Sequence, residues 1–404
     1  MPKIKQPLSG INVFDLTRVL AGPTCTQILG DLGANIIKVE RPKTGDDSRN
    51  LGPPYLDDYK STPKESAYYL SVNRNKNSVT IDLTSEEGQL IAKNLIKKCD
   101  IVVENFRAGN LKQYGLDYES LIKIKPNLIY CSITGFGQNG PYSSRGGYDY
   151  LVQAMGGIMS ITGEEKGPPT KVGVGVSDII TGLYSSIAIL SALIFRNQTK
   201  KGQSIDISLL DSQVSWLSYV AQSYLVSNNI PKRIGNDHPS IVPYQTVKAK
   251  DGLMVLAIAN DNQFKNFCLF AGLNDLFANE KFKSNSKRVK NRKELNKLIG
   301  KTIRKKKIVY WVEGLLKVNV PCGPINNLKE VFNDPQVIYR KMKVPIKYGR
   351  KKVNLIGSPI NLSKSPILYK KAPPTLGEDT DKILKNFLKL SNTELNKLKT
   401  KKII

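Results

Sequence analysis

Histidine is almost absent from this chain: His238 is the only one in 404 residues. Any Ser-His-Asp or Cys-His mechanism would have to use it. One histidine also leaves few routes to a zinc or non-haem iron site, so no metal is expected. No GxSxG elbow occurs. The five cysteines (Cys25, Cys99, Cys131, Cys268 and Cys322) are odd in number and widely spaced, with no CxxC. That argues against a disulfide framework or structural zinc and for a reducing compartment. Acidic residues are scarce, 34 against 61 Lys and Arg, giving a formal charge of +27. A polyanion partner is one reading, and lysines scattered over a solvated surface are another. No zinc-finger spacing, RNP-like aromatic pair or long basic helix accompanies the charge, so no nucleic-acid partner is expected. The opening MPKIKQPLSG has no apolar h-region and no small-residue cleavage site. The longest near-apolar run, Ile179–Phe195, is interrupted by Thr181, Gly182, Ser185, Ser186 and Ser191. It reads as a helix packed inside a globule rather than a membrane span. A cytoplasmic protein without membrane association is expected.

What is present is enough apolar sequence, 40%, to fill a substantial core. The length suggests two domains, or one large domain with an appendage. The first half alternates strand and helix, the usual sign of a doubly wound α/β sheet. Strands are predicted at Ile11–Leu16, Ile36–Glu40, Val79–Leu83, Ile101–Val103, Leu128–Ile133 and Ile205–Leu209. A helix opens at Ala21 and ends near Gly33. Thr84 with Glu87 makes a capping box for a helix running to about Lys98. Asp178 begins an apolar helix to about Phe195, and Asp211–Val226 is another. A strand at Met254–Ala259 leads into a helix around Gln263–Gly272. The stretch from Asn279 to Val318 is basic and helical, and Asp251–Met342 forms most of a smaller second domain. Val353–Lys364 is extended, and a short helix covers Thr380–Leu390.

Few residues carry recognisable chemistry. Gly135–Gly140 spells GxGxxG after a strand, but Pro141, Tyr142, Ser143 and Ser144 follow where a dinucleotide fingerprint needs a helix. A loop is expected there. His238 belongs to a loop beside Pro239. Cys25 lies near a helix start, where a thiolate is stabilised, and equally suits a small buried packing residue. Asp178 follows Val172-Gly-Val-Gly-Val-Ser177, whose glycines allow close backbone approach. It is either an N-cap aspartate or a carboxylate held ionised beside a glycine-lined cavity, able to act as a covalent nucleophile.

Taken together, RVLAGPTCTQILGDLGANIIKVERP, NRNKNSVTIDL, VVENFRAGNLKQYG, IYCSITGFGQNGP, YDYLVQAMGGIMSITGE, GPPTKVGVGVSDIITGLYSSIAILSAL and KGQSIDISLLDSQVSW resemble the family III CoA-transferases, which include formyl-CoA transferase and the CaiB/BaiF proteins. VPCGPINNLKEVFNDPQV and GSPINLS extend the likeness over about residues 8–390. The resemblance implies a Rossmann-like large domain, a smaller α+β domain and an interlocked homodimer. On that template residues 1–225 hold the main part of the CoA-binding large domain, 226–345 the small domain with linkers, and 346–404 a segment returning to the large domain. The resemblance also implies acyl-CoA and carboxylate substrates, and Asp178 as the catalytic aspartate that passes through an anhydride and an aspartyl-CoA thioester. By position, Arg41 in VERP meets the CoA nucleotide. Val19, Ala21, Lys76, Asn105 and Phe106 match segments around the cofactor. ENFRAGNLKQYG departs from the family pattern at Ala108 and Gln113, with Lys112 nearby. In the related α-methylacyl-CoA racemases a histidine precedes the aspartate of a GHD segment. Here the segment is Gly147-Tyr148-Asp149, and tyrosine is a poor general base near neutral pH. That favours transfer over proton exchange, with Asp149 orienting groups near Asp178. Gly235–Gln245 resembles enzymes that use succinyl-CoA with glutarate or hydroxymethylglutarate, and Arg18 suits a distal carboxylate. Carnitine, itaconate, malate and mesaconate remain alternative acceptors. A CoA-binding subunit without activity is the non-enzymatic alternative.

Overall fold

The computed structural model describes residues 5–56, 65–349 and 351–404. The chain divides into two compact units. The larger contains residues 1–158, 171–228 and 338–404, and the smaller contains 159–170 and 229–337.

The larger unit is built on six parallel strands: β1 (Asn12–Asp15), β2 (Asn35–Glu40), β3 (Lys76–Thr80), β4 (Ile101–Glu104), β5 (Ile129–Thr134) and β6 (Gln203–Ser208). Their order is β3-β2-β1-β4-β5-β6. The order of strand addition reverses between β1 and β4, the switch point where ligands of such sheets bind. β4 and β5 are buried throughout, as parallel strands covered on both faces must be. Side chains alternate between two cores, as the two-residue strand period dictates. Phe14, Ile37 and Val102 pack with Leu95 of α2 (Glu86–Ile96) and Leu384. Val13, Ile36 and Val103 pack on the other face with Leu29 of α1 (Ala21–Asp31) and Ile189.

Two further helices belong to this unit: α3 (Asp149–Met155) and α4 (Val176–Thr199). A Cβ at Gly182 of α4 would lie 2.7 Å from the Ala21 carbonyl oxygen and 2.8 Å from Thr24 Cβ. Only glycine lets α4 press against the first turn of α1, which carries Asp178 to the carboxyl edge of the sheet. At 24 residues α4 is longer than the apolar run suggests, and it meets the length and apolarity of a membrane span. Its buried Ser177, Thr181, Ser185 and Ser186 are the polar residues of a helix packed within the unit.

The smaller unit has an antiparallel sheet of β7 (Tyr244–Lys248), β8 (Leu253–Ala257) and β9 (Cys322–Pro324) in that order. Helices Asp261–Ala271, Arg292–Ile303 and Ile308–Lys317 bury Phe264, Phe267, Ile299, Trp311 and Leu315 against it. The basic stretch is therefore amphipathic, with its lysines outward. The fold is α/β with a large Rossmann-like and a small α+β part.

Several local expectations need correction. The third strand lies at Lys76–Thr80, three residues before the apolar run that suggested it. Ser85, not Thr84, caps α2 and accepts from Gly88 N–H at 3.1 Å. Thr84 instead donates to Asp82. The helix expected over Asp211–Val226 breaks between Trp216 and Ser218, where Ser218 takes φ 49°. Asp178 is not an N-cap: the helix starts at Val176, and Gly175 precedes it without a side-chain cap. Gly135–Gly140 is loop, as expected. A Cβ on Gly135 would lie 2.4 Å from Gly147 Cα, so this glycine serves backbone contact with the segment that carries Tyr148 and Asp149.

Candidate active site

The first turn of α4 has no cap of its own, and Asp149 supplies one from α3. Asp149 Oδ1 accepts from the Ser177 N–H at 2.8 Å and the Asp178 N–H at 3.4 Å. Its Oδ2 accepts from Gln153 Nε2 at 2.7 Å, and Gln153 Oε1 accepts from the Val172 N–H at 2.8 Å. Ser177 Oγ donates to Gln213 Oε1 at 2.7 Å. The backbone of the turn is thereby held by Asp149 and its neighbours, while no hydrogen bond to the Asp178 carboxylate is seen among the described residues. A Cβ built on Gly175 would sit 3.6 Å from Asp149 Cγ and 3.7 Å from Asp178 Oδ2. The two carboxylates thus share one small space. Burial, and then the charge of Asp149, push the Asp178 pKa up to about 7. Burial and a like charge thus oppose the helix start, which alone would favour the ionised carboxylate.

Tyr68 was not singled out in the sequence. Its half-buried phenol is pushed up to about 12 by burial and by the charges of Asp178, Asp149 and Asp46. It stays protonated and able to donate. Only the proximity of three carboxylates from distant segments reveals it.

Asp178 opens into a cavity of about 200 Å³ at the carboxyl ends of β1, β4 and β5, lined also by Val19, Ala21, Asn105, Phe106 and Tyr148. Six sequence-predicted positions therefore meet in one place. Tyr148 is 74% exposed there, so its ring is available to a ligand. The Arg18 and Asn105 segments are tied across the switch point. Arg18 N–H donates to Asn105 Oδ1 at 2.9 Å, and Asn105 Nδ2 donates to the Arg18 carbonyl at 2.8 Å. Val19 stands at φ 70°, an unusual conformation for a β-branched residue. Its N–H is held by Asp46 at 3.1 Å. Glu104, buried and raised to about 7, accepts from the Phe106 N–H at 2.8 Å and fixes that turn.

A second cavity, about 410 Å³, continues over β1, β2 and β3. The two share Arg18 and Phe106, whose guanidinium and ring lie 4.9 Å apart. Arg41 lines this larger cavity. Leu16, Val39, Ile81 and Phe106 give it an apolar interior, and Arg18 and Arg41, which line it, both pair with Asp47 of the smaller cavity. The Nε–H of Arg18 has no partner among the described residues. An apolar slot with a cationic edge suits a flat base carrying phosphates.

Lys76 is not brought into either cavity. It is fully buried, donating to the Pro23 carbonyl and Asn73 Oδ1 at 3.0 Å each, with Asp15 at 3.4 Å. It braces the first turn of α1 from behind. Cys25 is buried in α1 and its thiol is pushed up to about 12, so it is packing rather than nucleophile. His238 lies in a loop of the smaller unit against Tyr244, with ring centroids 5.3 Å apart. Its pKa is lowered by burial and Arg292.

A parallel sheet with a buried carboxylate at its switch point and an apolar, cation-edged cavity beside it is the layout of an α/β protein that binds its ligands at the carboxyl edge. The model of CoA-transferase family III matches residues 8–380, and the chain belongs to that family as one of its enzymes. It is 44% identical to the human succinyl-CoA:glutarate CoA-transferase over 394 residues, 97% of this chain and 89% of that protein. It is equally 44% identical to a succinate–glutarate CoA-transferase of Agrobacterium fabrum over 385 residues, 95% of this chain and 96% of that one. A CaiB/BaiF family protein from Brucella suis superposes with a TM-score of 0.85 at 45% identity, over 95% of this chain and 99% of the other.

Proposed function

We infer that this CoA-transferase moves CoA from succinyl-CoA to a dicarboxylic acid of the glutarate type, with Asp178 as the covalent relay. The observation that carries the mechanism is a carboxylate facing a cavity beside a second carboxylate, with its pKa raised to about 7. The similarity to enzymes named for succinate and glutarate supports the substrate pair.

In this reading the adenosine end of CoA lies in the larger cavity beside Arg41, and the thioester reaches Asp178 past Arg18 and Phe106. An Asp178 oxygen attacks the thioester carbonyl carbon. The C–S bond breaks, giving an aspartyl–succinyl anhydride and CoA thiolate. The thiolate attacks the aspartyl carbonyl, expelling succinate and leaving an aspartyl-CoA thioester. The acceptor carboxylate attacks that carbonyl and releases the thiolate again. The thiolate then takes the new acyl group and frees Asp178. A carboxylate whose pKa is raised toward the working pH is a better nucleophile than an ordinary one and is still available in its ionised form. Tyr68, kept protonated near these carboxylates, is the phenol that could serve as a donor to a developing oxyanion. Asp149 acts through the first turn of α4 rather than on the substrate.

Exposed Ile187 and Ile194 on α4, and Leu225 and Val226 on helix Ser218–Ser227, support a homodimer. The unpaired cysteines support a reducing, cytoplasmic setting. The main part of the CoA-binding role falls to the large domain within residues 1–225.

The test is to incubate the protein with succinyl-CoA and a panel of carboxylic acids, and to identify the acyl-CoA products by mass beside Asp178→Ala. Transfer to glutarate or hydroxymethylglutarate that disappears in the variant is expected. Undiminished transfer by the variant would remove Asp178 from the mechanism. A preference for a monocarboxylate acceptor would overturn the substrate assignment.

A further inference from the structure

The larger cavity is completed by a residue outside the stretch that the family model matches. That match ends at residue 380, yet Lys402 lines the cavity. Its position is built rather than incidental. Helix Asn392–Thr400 opens with a capping box of Ser391 and Glu394, and Leu395 packs into the core beneath the sheet. After the helix, Lys402 N–H donates to the Lys399 carbonyl at 2.9 Å. Ile403 N–H donates to the Leu398 carbonyl at 2.9 Å, and the Ile403 carbonyl accepts from the Asp82 N–H at 2.8 Å. Ile403 is itself buried, and Lys401 pairs with Glu87. The segment is thereby stitched to the end of β3, with Lys402 on the cavity lip.

Sheet order gives the direction. Asp178 lies over β1, β4 and β5, whereas Asp82 and Lys402 lie past β3. Four strand spacings separate β5 from β3, about 19 Å, a span that a pantetheine arm and its diphosphate can bridge. The far end of an acyl-CoA held at Asp178 is its adenosine with the 3′-phosphate. Around the cavity, Arg18 and Arg41 already share Asp47. Lys43 and Lys402 have no carboxylate partner among the described residues, and both line the same cavity. An unpaired ammonium at a cavity edge is a point-charge phosphate binder.

We propose that Lys402, assisted by Lys43, recognises the 3′-phosphate of CoA, so that the segment after helix Asn392–Thr400 contributes a nucleotide-binding residue. The proposal rests on the CoA reading above. It is tested by calorimetric titration of CoA and of 3′-dephospho-CoA into the wild type, Lys402→Ala and Lys402→Glu, with Lys305→Glu as a charge control in the smaller unit. Melting curves establish that each variant is folded. Lys402→Ala should weaken CoA about threefold and Lys402→Glu about tenfold, as expected for a partly exposed ion pair and its reversal. Neither should change the affinity for dephospho-CoA, and Lys305→Glu should change neither ligand. Equal weakening of both ligands, or no weakening of CoA, overturns the proposal while the CoA reading stands. Failure of the wild type to bind CoA overturns both.

Discussion

Two aspartates near the same edge of the sheet have opposite fates. Asp46 is fully buried, and burial alone would raise its pKa. Lys38 Nζ, 2.7 Å away and equally buried, together with the N–H groups of Ser48 and Val19, holds it well below the usual carboxylate range. Asp178 has no cation in that role among the described residues. Its neighbour is another carboxylate, and its pKa rises to about 7. Burial is common to both, so the sign of the partner decides. A cation makes a carboxylate scaffold, here the clamp that keeps Val19 in its unusual turn. A like charge keeps a carboxylate reactive, at a cost to the fold.

Removing the clamp should have the largest effect on stability. Asp46→Ala leaves Lys38 buried with only the Thr17 carbonyl, 2.8 Å away, as a hydrogen-bond partner. A loss of about 3–5 kcal/mol is expected from urea unfolding. A loss below about 1 kcal/mol would mean that the pair is not the structural clamp described. Asp178→Asn should act in the other direction, gaining about 1 kcal/mol at pH 8. The two sites also have opposite pH signatures. Asp46 has a lowered folded pKa, so its contribution is complete above the unfolded value of about 4 and disappears as pH falls below it. Asp178 has a raised folded pKa. Protonation favours the fold, and stability is lost as pH rises from about 4 through 7. The gain from Asp178→Asn should therefore vanish below about pH 4. A gain of constant size across that range would separate it from ionisation.

The same distinction explains what was legible in the sequence. The strands β1, β2, β4 and β5 could be read because two-sided burial makes them apolar runs with short boundaries. Strand β3 could not be placed correctly, since it begins with Lys76, Asn77 and Ser78, which answer partners from distant segments. Asn77 Nδ2 donates to Asn35, and Ser78 Oγ to Glu40. Motif resemblance brought Val19, Ala21, Asn105, Phe106 and Asp178 to one cavity, because each follows a strand or opens a helix at the carboxyl edge. Lys76, matched by resemblance to a segment around the cofactor, lies beneath α1 against Pro23, Asn73 and Asp15 rather than in that cavity. Tyr68 and Lys402 were invisible for a different reason. Their surroundings are assembled from segments far apart in the chain, and no local pattern records that.

The finest test of the comparison changes the sign of the partner without moving it. Asp149→Asn keeps an oxygen that can accept from the Ser177 N–H, the stronger of its two bonds to the α4 turn, and removes the like charge beside Asp178. It sacrifices the bond from Gln153 Nε2, since an amide nitrogen would face another donor there. The acid limb of kcat/KM reports the free enzyme's essential base, which in this reading is Asp178, so the wild type should lose activity as pH falls through about 7. In Asp149→Asn the midpoint should move toward acid. It should stop above the ordinary aspartate value near 4, because burial, the larger of the two causes, remains. A midpoint that stays near 7 would assign the whole shift to burial and remove Asp149 from the electrostatic account. A midpoint that drops to 4 would assign it all to the neighbouring charge.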